Sequence, residues 1–292
     1  MVPLEYSTET MHTVAVIGAG DIGGACVHAL ATSDAVARIL LIDAAASAAA
    51  GKALDIRQSG AISGDDADIV GTDDVSRAAG CDLCVVADRF GSGSPEWRGD
   101  TGLVLAQTLA RLCSGAPLVF AGASQEILLA ALAHEGRVRP HRLIGSAPEA
   151  FGAAVASIVA MEAECSAAEV TVAVLGVPPN SLVVPWSGAS IGGYALADVL
   201  PQARIARIEA RVARLWPPGP YALGAAAARV ACSILHSARR SLNVLTILDG
   251  EFAARNRLGT VPATVGPRGI VQTRVPPLSS RERVLVDIAL GS

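Results

Sequence analysis

Apolar and polar positions change rhythm halfway along this chain. In the first half, short runs that are apolar at almost every position alternate with longer mixed stretches. The runs 13–18 (TVAVIG), 38–43 (RILLID), 67–70 (ADIV), 82–87 (DLCVVA), 117–121 (PLVFA) and 142–145 (RLIG) predict strands. Strands without a polar face suit a parallel sheet covered by helices on both sides. Helices are predicted between them near 21–33, 46–59, 98–113 and 124–135. Such strand–helix alternation predicts a doubly wound α/β domain.

The second half has a different grammar. An Ala-rich helix is predicted at 148–164, then strand runs at 169–176 (EVTVAVLG) and 182–186 (LVVPW) joined by a VPPNS turn. Helices follow at 198–215 and 220–239, the first ended by WPPGP, because a proline pair cannot continue a helix. Strands at 242–248, 259–265 and 269–273 lead to a last helix at 279–290, where Ser279 and Glu282 form a capping-box pair. This half reads as α+β. A length of 292 residues suits two domains, placed at 11–146 and 147–292.

Composition narrows the partners. Hydrophobic residues make up 51% of the chain and charged residues 17%, with a net charge of −4. That balance provides no basic face, so nucleic acid is excluded as an expected partner. No apolar run reaches the roughly 20 residues that span a bilayer. The first ten residues, MVPLEYSTET, lack the basic and apolar regions of a signal peptide and read as a flexible extension. A soluble cytoplasmic protein is expected. Cys81 and Cys84 form a C-x-x-C, but on a strand residues three apart point to opposite faces, so all six cysteines are expected reduced. No metal is expected.

The strongest motif is Gly18-Ala19-Gly20-Asp21-Ile22-Gly23, which follows a predicted strand and opens a predicted helix. In that context G-x-G-x-x-G is a dinucleotide fingerprint. Gly18 permits the tight turn, Gly20 lets backbone approach a pyrophosphate, and Gly23 lets helix pack on strand. The amides of Asp21 and Ile22 open the helix, whose free N–H groups attract phosphate. Asp43 ends the second strand twenty residues after Gly23. A carboxylate there suits ribose hydroxyls and repels a 2′-phosphate, so NAD is the expected cofactor. The alternative is a glycine turn that binds nothing, with Asp43 a surface residue.

Further segments resemble the malate/lactate dehydrogenase family. Gly51-Lys52-Ala53-Leu54-Asp55 is similar to its G-x-A-x-D helix segment, and Arg142-Leu143-Ile144-Gly145 to its R-V-I-G strand. Leu248-Asp249-Gly250-Glu251-Phe252 resembles L-x-G-x-Y/F. Val261-Pro262, Val265-Gly266 and Gly269-Ile270 resemble its V-P-x-x-x-G-x-x-G-I/V hairpin. The resemblance runs from about residue 12 to 290. It implies a Rossmann doubly wound parallel sheet plus a C-terminal α+β domain of the malate/lactate dehydrogenase type. It also implies a small-molecule substrate and a homo-oligomer, dimer or tetramer.

The resemblance further implies a catalytic set: a His base tuned by an Asp, an Arg that forks onto the substrate carboxylate, and a mobile-loop Arg. Arg98, in Trp97-Arg98-Gly99-Asp100, matches the loop Arg and is the one catalytic candidate; its bland alternative is a solvated residue at a helix start. The preceding stretch, Asp88 to Glu96, departs from the family's Gly-Val/Ala-Pro-Arg-like run, and Arg89 is out of register. Without gaps, the family Asp falls on Phe151 and the clamp Arg on Ala154. The family His segment reads Leu175-Gly176-Val177-Pro178-Pro179-Asn180-Ser181, and the ribose-binding Asn is replaced within Ala121-Gly122-Ala123. The five histidines (12, 28, 134, 141, 236) lie elsewhere. Three readings follow. One is a dehydrogenase with a rebuilt site drawing on Glu149, Asn180, Ser181 or Tyr221. The second, favoured here, is a degenerate member that retains NAD(H). The third is a structural oligomer subunit without cofactor.

Overall fold

A computed structural model of the chain describes residues 12–93 and 95–291. The extension expected over residues 1–10 lies outside the described residues. The first half forms β1 (Thr13–Ile17), α1 (Asp21–Ala31), β2 (Arg38–Ile42), α2 (Ala46–Ser63), β3 (Asp68–Thr72), β4 (Leu83–Val86), α3 (Gly99–Leu112), β5 (Leu118–Phe120), α4 (Glu126–Glu135) and β6 (Leu143–Gly145). These six strands are parallel, in the order β3-β2-β1-β4-β5-β6. That is the doubly wound order expected from the apolar runs.

The all-apolar character of these strands has a direct cause. Val14 and Val16 of β1 join one buried cluster, under α1 and α2, while Ala15 and Ile17 join another, under α3 and α4. Because successive side chains point to opposite faces, neither face is left for polar residues.

The second half forms α5 (Ala147–Ala163), β7 (Val170–Thr171), β8 (Leu175–Val177), β9 (Ser181–Val183), β10 (Ser190–Ile191), β11 (Tyr194–Ala195), α6 (Leu196–Val199), α7 (Gln202–Val212), α8 (Pro220–Leu235), β12 (Leu242–Asp249), β13 (Arg255–Gly266), β14 (Gly269–Thr273) and α9 (Ser280–Leu290). β12 continues the main sheet antiparallel to β6, with Leu245 opposite Gly145. β13, β8 and β9 follow, and β14 pairs with β13. α8 packs back onto the first sheet, since Ala227, Val230 and Ile234 belong to the cluster that holds Val14 and Val16.

Three expectations are corrected. The strand run 169–176 is two strands in different sheets: β7 pairs with β10 in a small three-stranded sheet, while β8 pairs with β13. Between them the Val174 amide donates to Asn243 Oδ1 instead of a neighbouring strand. The run 182–186 is shortened to Ser181–Val183 because Pro185 has no amide to donate. The helix 198–215 is broken into α6 and α7 at Pro201, which sits before the first turn of α7. The predicted capping box does form: Ser279 and Glu282 exchange side-chain-to-backbone bonds at the start of α9.

Candidate cofactor crevice and substrate cavity

The glycine turn sits between β1 and α1, beside the C-terminal end of β4, where the strand order reverses. In open α/β sheets this switch point is where ligands bind. Gly18 has φ +115°, a conformation that glycine adopts without steric penalty. A Cβ on Gly23 would run into the Gly18 carbonyl, and one on Gly20 into the Asp88 carboxylate. The turn therefore has the shape that the fingerprint predicts.

Its donors are engaged within the chain. Asp88 follows β4 and is 6% exposed. Its Oδ2 accepts from Asp21 N at 2.9 Å and its Oδ1 from Gly23 N at 2.9 Å, while Gly20 N donates to the Asp88 carbonyl at 2.9 Å. These include first-turn amides that a helix leaves without an internal partner. Asp43, also 6% exposed, is no surface residue. Its Oδ2 accepts from Ala19 N at 2.8 Å and Phe90 N at 2.9 Å, and its Oδ1 from Ala45 N at 2.9 Å. Lys52 Nζ reaches Gly20 O at 2.7 Å and lies 6.0 Å from the centre of the Phe90 ring.

The other end of the same loop closes a second set of amides. Asp88 and Glu96 form an antiparallel bridge, and Arg89 N donates to Pro95 O at 2.8 Å. Glu96 Oε1 accepts from Ala123 N at 3.1 Å and its Oε2 from Ser124 N at 2.8 Å, ahead of α4. There the almost wholly buried Gln125 leaves its Nε2 without a partner, beside a void of about 10 Å³. Arg98 is exposed at the N-cap of α3, where its side chain makes no capping bond. The Arg89 guanidinium, 4.9 Å from the Trp97 ring centre, lies over that ring.

The second half holds a separate cavity of about 570 Å³. Phe151, Pro179, Asn180, Trp186, Trp216 and Arg281 are among its walls. Phe151 is buried and tilts against Trp216, with ring centres 6.0 Å apart. Glu282 reaches the rim; burial raises its carboxyl, but bonds from Ser187 and Ser279 hold it at about 2. Ala154 is half-buried on α5.

Glu149 is committed elsewhere. Its Oε2 accepts from Asn243 N at 2.8 Å and its Oε1 lies 3.3 Å from Arg229 Nε. Burial pushes its carboxyl above the usual range, against those partners. Tyr221, 83% exposed, lies with His28 and Lys52 by α1 and not in this cavity. Ser181 is half-buried on β9. No histidine lines the cavity among the described residues. His28, His134, His141 and His236 are exposed, and His12 lies 3.6 Å from Asp82.

A parallel sheet in this order, with a glycine turn at its switch point and an acid ending β2, defines a dinucleotide-binding α/β protein. Comparison with known proteins narrows the class. Residues 12–115 match the family model described as lactate/malate dehydrogenase, NAD binding domain. The chain is 27% identical to a malate dehydrogenase of Desulforudis audaxviator over 295 residues, covering 96% of this chain and 95% of that one. It is 29% identical to one from Xanthobacter autotrophicus over 300 residues, covering 96% and 93%. The solved malate dehydrogenase of Salinibacter ruber superposes with a TM-score of 0.85 at 23% identity, over 96% of this chain and 94% of that one. At this low identity the chain resembles the malate/lactate dehydrogenase family along nearly its whole length, and residues 12–115 are similar to that family's NAD-binding domain.

The residues fit that cofactor in part. The glycine turn, the opening of α1 and Asp43 have the right chemistry and place. Asp88 and Phe90 occupy the same donors and the same acceptor.

Proposed function

We propose that the chain is an NAD-binding family member that does not turn over malate or lactate. Gly18, Gly20, Asp21, Ile22 and Gly23 would hold the pyrophosphate and Asp43 a ribose. NAD, when bound, supplies a hydride acceptor. The missing part is the proton acceptor. The observation that carries this reading is Phe151, packed on Trp216 at the position that the family gives to its Asp. A phenyl ring cannot orient or stabilise an imidazolium, and the aligned His segment holds Pro178 and Pro179. Without a base or a carboxylate clamp, the positioning on which hydride transfer depends is lost. Arg98 alone would remain as an electrophile.

The chain divides at residue 146, works in the cytoplasm and assembles as a homo-oligomer on this reading. The test is an NADH-coupled assay of the purified protein with malate, lactate, oxaloacetate and pyruvate. Turnover at background level is expected. Robust turnover abolished by Arg98→Ala would overturn the reading. The aromatic cavity supports a second reading, a dehydrogenase for a bulky apolar 2-oxo acid, which the same assay with aryl-substituted substrates separates.

A further inference from the structure

We propose that the chain carries its own occupant of the dinucleotide crevice, with Asp88 standing in for a phosphate, and that NAD(H) binds only after displacing it. The inference rests on the NAD-binding part of the reading above and is independent of turnover. Three contacts converge. The Asp88 carboxylate engages the amides of Asp21 and Gly23 at the mouth of α1, where a pyrophosphate oxygen would sit. The Phe90 amide takes the Asp43 oxygen suited to a ribose hydroxyl, and the Phe90 ring lies near the Lys52 ammonium. Glu96 engages Ala123 N and Ser124 N at the other end of the crevice, after β5.

A chance surface loop would not show this pattern. Two carboxylates of one loop, on residues whose backbones pair as an antiparallel bridge across its base, meet two separate sets of backbone amides. Both sets lie at the C-terminal edge of the parallel sheet, where a dinucleotide is expected. An anion at a helix N-terminus is stabilised by free N–H groups and by the helix dipole, whether it is a phosphate or an aspartate. Asp88 and a pyrophosphate therefore compete for one site. The apparent affinity for the cofactor is reduced by the fraction of molecules in which the loop is displaced. An acid following β4 at the switch point is thus a determinant of cofactor affinity.

The experiment is a titration of NADH by calorimetry into the full chain and into Asp88→Ala and Glu96→Ala, each first checked for folding by circular dichroism. One charge-assisted hydrogen bond corresponds to about tenfold in affinity, so Asp88→Ala is expected to bind NADH at least ~10-fold more tightly than the unaltered chain. Glu96→Ala is expected to tighten binding by a smaller factor. Micromolar binding by the unaltered chain that neither substitution improves would overturn the proposal. So would folded variants that bind no NADH at all, since releasing the loop would then have freed no site. If Asp88→Ala does not fold, Glu96→Ala is read by the same criterion. Because no readout involves turnover, tight binding by a variant without malate oxidation supports this inference whatever becomes of the catalytic reading.

Discussion

The glycine crevice and the second-half cavity are built from different parts of the chain. In the crevice the ligand-binding backbone has the fingerprint's shape, and several of its polar groups are engaged from within by Asp88, Phe90 and Glu96. In the cavity, side chains make the walls, with Phe151, Trp186 and Trp216 beside Asn180, Arg281 and Glu282. The difference follows from what each site is made of. A backbone amide cannot be substituted away, so a backbone-built site is altered by occupying it. A side-chain-built site is altered by replacement, and a buried acid whose partner is lost is stabilised by becoming apolar.

The comparison can be broken most sharply at Phe151. If this ring is now core packing, Phe151→Ala should destabilise the protein by about 3–5 kcal/mol in urea unfolding. A loss below about 1 kcal/mol would mean that the cavity is not packed and that the position is still held for a ligand.

Next in size is Glu282, which binds Ser187 and caps α9 at the cavity rim. Glu282→Ala should lose about 1–2 kcal/mol near neutral pH. Its carboxyl is held at about 2 in the folded chain, below its unfolded value. Its contribution is therefore complete above the ordinary carboxyl range and disappears as pH falls toward 2. Glu149 has the opposite sign. Its raised folded value means that the native state keeps the proton longer, so stability falls as pH rises through and just above the ordinary range. Unfolding curves of Glu282→Ala and Glu149→Gln against pH should lose slopes of opposite direction. A shared direction would contradict the environments described for the two groups.

The smallest effect is expected at Arg98. The side chain is exposed and makes no cap bond, so Arg98→Ala should change stability by no more than about 0.5 kcal/mol. A larger loss would show that Arg98 holds the loop in place instead of facing a substrate.

Much of this was legible in the sequence. The six parallel strands announce themselves because both faces are buried, and the glycine turn because its spacing meets a strand and a helix. The break at Pro201 was also there to read. The division of 169–176 was not, since it depends on Asn243 capturing the Val174 amide from 69 residues away. The occupied crevice was hidden for the same reason. Asp88 meets Gly23 across 65 residues, and no local pattern marks that contact. The available signal was an acid directly after β4, at the point where the strand order turns.

Lys52 gives the crevice an unplanned chemical window. It is the single lysine of the chain, and its ammonium is held against the Gly20 carbonyl beneath the loop that carries Phe90. Amine-reactive labels therefore have one internal target, and it sits at the mouth of the glycine turn. The rate at which that one nitrogen acquires a label reads out how firmly it is held against the Gly20 carbonyl.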